Sequence, residues 1–415
     1  MAGDLLITNI GELSTPTGTS ARRGAEMSEL RVVEDAAVLI KDGIIVYAGP
    51  GADVPWEEAD GVPPMSADGR AVVPGFVDSH THFVFAGYRE DEFMWRAEGL
   101  PYMEIHKRGG GIRRSMEATR AASLEQLVEI GERRLWTMLS MGVTTVEGKS
   151  GYGLDLQHEL KQLEAMSVLA ERTPAAIVPT YLGAHAVPPE FEGRTSDYLA
   201  YMIEEVLPSV RAQGVARFCD VFCEKGVFDI EESRRYLEAG AEMGLGLKLH
   251  ADEIEAMGGA GLAARLGAVS ADHLLKTSKE DMAAMARAGV VATCLPLTSF
   301  ALRENHADAR LMIDSGCAVA LASDLNPGSC YSQSIPLIFA LGLLYMRLSL
   351  AEVLTALTLN GAAALGLAES LGSIESGKEG DLVILEARSA RFLVYNTGMN
   401  VVSTVVKGGE IAYRA

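Results

Sequence analysis

The sequence predicts an α/β protein: a TIM-type (β/α)8 barrel carrying a small β-sandwich domain assembled from both chain ends. Three observations predict it. Apolar strand-like runs alternate eight times with longer helix-like segments through the middle of the chain. The polar residues that close those runs are rich in metal-binding types. The strand-and-turn pattern near the start returns near the end.

The eight runs close at His80 to His82, Val146 to Lys149, Thr180 to His185, Asp220 to Glu224, Lys248 to His250, Ala271 to His273, Thr293 to Pro296 and Ala320 to Asp324. Segments between them carry 3.6-residue apolar spacing, as in Leu124, Leu127, Val128 and Leu135, and Ser123 with Gln126 reads as a capping box at the head of that helix. No fixed-length repeat or low-complexity tract appears, which argues against a solenoid.

At the start, Leu5-Leu6-Ile7, Ala37 to Ile40 and Ile44 to Tyr47 read as strands, with Lys41-Asp42-Gly43 as a hairpin turn. Asp381 to Leu385 and Val401 to Val406, followed by Lys407-Gly408-Gly409, repeat that pattern. The expected division is residues 1–73 with 364–415 as one sheet domain, and 74–363 as the barrel.

With 48% hydrophobic and 22% charged residues over 415 positions, the composition is that of a compact globular protein. A formal net charge of −20 and the lack of a basic patch argue against nucleic acid and anionic membranes as partners. The most apolar stretch, Ile335 to Met346, is too short to cross a bilayer and is broken by Pro336 and Gly342. Met1 to Leu13 has no secretory pattern, and five cysteines without a CxxC pair suit reduced thiols, so a cytoplasmic enzyme is expected. A barrel of this size with an accessory sheet is expected to form a homodimer.

Catalytic groups of such barrels gather at the carboxyl ends of the strands. Of eight histidines, His80, His82, His185, His250 and His273 fall there, while His106, His158 and His306 do not. In Val73 to His82 an apolar strand runs into two histidines two apart, so both imidazoles leave one face and can share a cation. His250 ends the fifth run with Glu253 three residues on, His273 ends the sixth, and Asp324 ends the eighth. His80, His82, His250 and Asp324 thus offer four nitrogen or oxygen donors, with room for a water, and zinc, iron or manganese all suit them.

At these residues the chain resembles the amidohydrolase superfamily. Within it, Gly109 to Ile112, Lys149-Ser150-Gly151-Tyr152-Gly153, Leu182 to Pro189, His250-Ala251-Asp252-Glu253, Ser270 to His273 and Asp324 to Ser329 are similar to the branch that opens an imidazolone ring. The likeness covers nearly the whole chain. It implies one divalent or trivalent metal ion, zinc or iron, on His80, His82, His250 and Asp324. It also implies a carboxylate-bearing small-molecule substrate held by Arg89, Tyr102, Tyr152, His185, Glu253, Asn326, Gly328 and Ser329. Independently of the likeness, the planar fork of Arg89 suits a carboxylate, and glycines on both sides of Tyr152 let its backbone turn tightly.

The expected reaction is hydrolysis of the ring amide C–N bond, with Asp324 taking a proton from water, His273 stabilising the oxyanion and Glu253 helping the ring nitrogen leave. A heterocyclic-base deaminase is the rival, since His250 and Glu253 also fit that chemistry. Lys225, where two-metal relatives place a bridging lysine, is expected to be a surface partner of Glu224. Gly109 to Gly111 is expected to be a substrate loop rather than a phosphate cradle.

Overall fold

The computed structural model describes residues 3–100 and 110–415. The chain enters through a sheet: β1 (Leu5–Thr15), β2 (Arg31–Lys41), β3 (Ile44–Pro50), β4 (Pro64–Ser66) and β5 (Ala71–Pro74). It then runs eight times through strand and helix, on β6 (Phe76–Asp78), β7 (Val143–Lys149), β8 (Ala176–Ala184), β9 (Phe218–Cys223), β10 (Gly246–Ala251), β11 (Ser270–His273), β12 (Val291–Cys294) and β13 (Ala318–Leu321). It returns to the first sheet as β14 (Leu382–Leu385), β15 (Val402–Lys407) and β16 (Glu410–Arg414).

The first sheet is continuous, in the order β16-β15-β14-β5-β1-β2-β3 with β4 beside β1. Both chain ends build it, because β14 pairs antiparallel with β5, Val383 against Val73. A register shift between Ile7 and Ile10 lets Leu5, Ile7, Ile10 and Leu13 all join one core with Val38, Ile40, Val72, Ile384 and Val406.

The second sheet orders its strands β6 to β13 in sequence, all parallel. These strands are buried on both faces, which is why they read as apolar runs rather than alternating ones. The first long helix illustrates the outer ring. In Leu124–Ser140, Ser123 accepts the Gln126 amide and Gln126 returns a bond to Ser123 N–H, the capping box read from sequence. Its buried face, Leu127, Val128, Leu135, Met138 and Leu139, packs into the main core.

Closure between β13 and β6 occurs just beyond the named strands. Asp324 N–H donates to His80 C=O and His82 N–H to Leu325 C=O, both at 2.9 Å, while Ser323 Oγ donates to Asp78 Oδ2 at 2.6 Å. The same bonds that shut the barrel therefore bring the candidate ligands of its first and last strands together. Among the described residues no helix is long and apolar enough to cross a membrane.

Candidate metal centre

β6 ends at Asp78, two residues short of His80, and His80 and His82 lie in the irregular segment that follows it. Their backbone bonds face β13 while Thr81 C=O turns the other way to accept Lys149 N–H at 2.9 Å, so the two imidazoles share one side. Asp324 Oδ1 lies 3.6 Å from His80 Nε2 and 3.7 Å from His82 Nε2. His250 enters from β10, its ring 4.6 Å from that of His80. The four expected ligands are thus brought together, and each is at most 3% exposed.

Two further imidazoles crowd the chamber. Donor atoms of His80, His250 and His273 lie within 4.8 Å of one another, as do those of His82, His185 and His250. His185 stacks on His82 at 5.1 Å, and its Nδ1 meets Gly151 C=O at 3.0 Å. Burial pushes all five rings below the usual imidazole range, His185 and His273 to about 4, so they stand neutral with lone pairs available.

The residues fit a metal. His80 Nε2, His82 Nδ1, His250 Nε2 and His273 Nδ1 are buried without a hydrogen-bond partner, an unfavourable state that a cation would relieve. The outward nitrogens are held: His80 Nδ1 meets Asp272 Oδ2 at 2.6 Å and His250 Nδ1 meets Asp220 Oδ1 at 3.1 Å.

Two carboxyls flank the cage. Burial pushes Asp324 up to about 7, against hydrogen bonds from Thr298 and Asn326, and pushes Glu253 up to about 8, aided by Asp324 and Glu224. Glu253 Oε1 sits 3.6 Å from His273 Nδ1. The backbone is strained at Asp324 itself, φ 52°, and at His273 beside Glu253, φ 76°, left-handed values that cost a side-chain-bearing residue energy.

The expected substrate residues divide. Tyr152 lies against the His82 and His185 rings, on a loop whose amides at Gly151, Gly153 and Leu154 donate to buried Glu159. Gly151 is required there: φ is 99°, and a Cβ would lie 2.9 Å from Leu182 C=O.

Arg89, Gly328 and Ser329 line a neighbouring cavity of about 440 Å³ together with Arg96, Phe300 and Tyr331. Arg89 forms a fork to Glu92 at 2.8 and 2.6 Å. Asn326 is largely committed to its own turn, donating to Asp324 Oδ1 and Ser329 Oγ and accepting the Gly328 and Ser329 amides. Tyr102 and Gly109 lie outside the described residues; Gly111, at φ 104°, starts the next helix and donates to Glu92.

Lys225 is an exposed side chain whose amine meets Glu255 at 3.5 Å, whereas buried Glu224 accepts backbone amides of residues 225, 254 and 255. The surface pair therefore involves Glu255, not Glu224, and Lys225 is remote from the cage chemistry. Sequence reasoning also missed Thr298, which donates to Asp324 Oδ2 at 2.6 Å, and a buried ionic layer of Glu147, Lys149 and Lys248 beneath the imidazoles.

The amidohydrolase family profile matches residues 108–413. An imidazolonepropionase of Parabacteroides distasonis is 57% identical over 408 residues, covering 98% of each chain, and one of Clostridium tetani is 51% identical, covering 99% of each. The chain belongs to the imidazolonepropionase family of amidohydrolases. Membership in the imidazolonepropionase family agrees with the eight-stranded parallel frame. Among solved structures, Escherichia coli guanine deaminase aligns with a TM-score of 0.72 at 16% identity, covering 99% of each chain. An adenosine deaminase of Xanthomonas campestris with bound zinc aligns at 0.68 and 19% identity, covering 99% of this chain and 92% of its own. Identities that low carry the fold alone.

Proposed function

We propose that this chain hydrolyses the ring amide of 4-imidazolone-5-propanoate to N-formimino-L-glutamate, a step of histidine degradation. The observation that carries the reading is the convergence in one buried chamber of five imidazoles with two carboxyls, Asp324 beside His80 and His82 and Glu253 beside His273, the latter held by burial as a proton donor near neutral pH.

His80, His82, His250 and Asp324 would hold one metal ion, and zinc or iron both suit nitrogen and oxygen donors without a thiolate. Bound there, the metal supplies Lewis acidity that lets a water ionise near neutral pH. Asp324 takes the first proton as the water oxygen bonds to the ring carbonyl carbon. His273 faces the oxygen that becomes negative, donating a hydrogen bond to it. The carbon–nitrogen bond then breaks as Glu253 delivers its proton to the departing ring nitrogen; the carboxylic acid so formed gives its remaining proton back to Glu253 and leaves as a carboxylate, and Asp324 releases the first proton to solvent. The substrate propionate pairs with Arg89, which shares its charge between that anion and Glu92.

Relatives more than 50% identical along the whole chain support ring opening over deamination. The deciding experiment is incubation with imidazolone propionate, following loss of its ultraviolet band with and without a chelator. Loss of the band with formation of formiminoglutamate supports the reading; ammonia release from a heterocyclic base without it would replace the reading by deamination.

A further inference from the structure

Beneath the imidazole chamber, five charged side chains are sealed from solvent: Glu147, Lys149, Asp220, Lys248 and Asp272 are each 0% exposed. They stand on β7, β9, β10 and β11, with β8 between the first two, and their side chains meet one another inside the sheet. Lys149 Nζ lies 2.7 Å from Asp220 Oδ2, 3.0 Å from Glu147 Oε1 and 3.4 Å from Asp272 Oδ2.

Two of those carboxylates also reach the cage, Asp272 to His80 Nδ1 and Asp220 to His250 Nδ1. An ionised carboxylate only accepts, so each imidazole carries its proton on Nδ1 and presents a bare Nε2. Those two Nε2 atoms are the ones left buried and unpartnered. The orientation of both carboxylates therefore decides which imidazole nitrogen faces the chamber.

We propose that Lys149 is a positioning residue for the metal: its ammonium clamps Asp220 and Asp272 together in the rotamers that hold His250 and His80 by Nδ1. Without it, two buried anions would lose the one ammonium that bonds them both, leaving only the more distant charge of Lys248 to hold them, and would turn apart. The clamp also fills the space a second cation would need. Donor atoms of Glu147, Asp272 and His80 lie within 4.8 Å of one another, and Lys149 Nζ already binds both of those carboxylates. Lys248 is equally buried but bonds to Glu147 at 3.0 Å and to the carbonyls of Ser79 and Ala364. It makes no ion pair with either histidine-bound carboxylate, although its charge acts on both, so it separates the direct clamp from buried charge in general.

The clamp rests on the metal reading of the cage and not on the identity of the substrate. The test strips metal from the full-length parent, Lys149→Met and Lys248→Met, confirms folding by circular dichroism, and titrates zinc against a chromophoric chelator. Lys149→Met should bind zinc about 10- to 100-fold more weakly, as expected when an outer partner of a metal-bound histidine is lost, and Lys248→Met should lose clearly less. Parent-like affinity in Lys149→Met overturns the proposal, and so does an equal loss in both variants, which would mark a general cost of removing buried charge. A parent that takes up no zinc sinks the metal reading and the clamp with it.

Should Lys149→Met fail to fold, the milder Lys149→Gln takes its place in the zinc titration with the same two outcomes, and the parent tests the nitrogen assignment on which the clamp depends. Loaded with cadmium-113 and labelled with nitrogen-15 histidine, it should show coupling to Nε2 of His80 and His250, with the proton on Nδ1. Coupling to Nδ1 of either one overturns the proposal.

Discussion

Thr298 Oγ1 donates a 2.6 Å hydrogen bond to Asp324 Oδ2, on the side of the carboxylate away from the histidines, which face Oδ1. The hydroxyl thus fixes which oxygen enters the cage. Thr298→Val keeps the shape and removes the donor. Hydrogen bonds to charged groups contribute about 1.5–3 kcal/mol, so kcat/KM should fall roughly 10- to 100-fold. Thr298→Ser should recover most of it, and steady-state kinetics on metal-loaded protein checks both.

Glu253 predicts a pH effect of definite sign. An ordinary glutamate ionises near 4.5 and Glu253 near 8. Between those values the folded metal-free chain holds a proton that the unfolded chain has released, so Glu253 makes stability fall as pH rises from about 4.5 to about 8. Glu253→Gln removes this penalty. Its melting temperature should match that of the parent at the acid end and exceed it most above pH 8. The gap there should reach roughly 3 kcal/mol, less than full burial would give because 16% of the side chain reaches solvent. As a proton donor, Glu253 should also give the parent a basic limb in kcat/KM near pH 8 that the variant lacks.

Gly328 matters for what it leaves empty. A Cβ there would collide with Arg89 Nη1. Gly328→Ala should displace the guanidinium and raise KM about 10- to 100-fold, the range for losing a charged hydrogen bond to a carboxylate, with metal content unchanged. Arg89→Lys, which keeps the charge and loses the fork, should raise KM in the same direction.

Metal content separates the cage from its surroundings. Purified protein should carry one ion per chain; chelation should abolish turnover, and added zinc or iron(II) should restore it. His82→Ala should lose the ion. Lys225→Ala should leave both metal and turnover as they were, since exposed ion pairs contribute about 0–1 kcal/mol. Elemental analysis beside an activity assay decides it.

The barrel and the convergence of His80, His82, His250 and Asp324 were legible because parallel strands buried on both faces read as apolar runs, and the residues closing those runs are chemically distinctive. The ionic layer was harder to see. Glu147 and Lys149 alternate on one strand, and Lys248 and His250 on another, with the parity of the inward face; that was the available signal. Charges on a strand ordinarily read as solvated, so Lys149 stood in a recognised motif without a role. Thr298 gave no signal, because its partner Asp324 is 26 positions away across the barrel rim. Arg89 was expected to meet a substrate carboxylate, whereas its fork to Glu92 depends on a helical turn that sequence spacing alone does not single out.

The pairing of Val73 with Val383 has a consequence for biosynthesis. The strand leading into His80 is anchored by one that leaves the ribosome about three hundred residues later, and Asp324 too emerges long after the histidine pair. A nascent chain therefore exposes its first two imidazoles throughout most of translation without the groups that complete their surroundings. The candidate metal centre is therefore completed only after Asp324 and Val383 have both been synthesised.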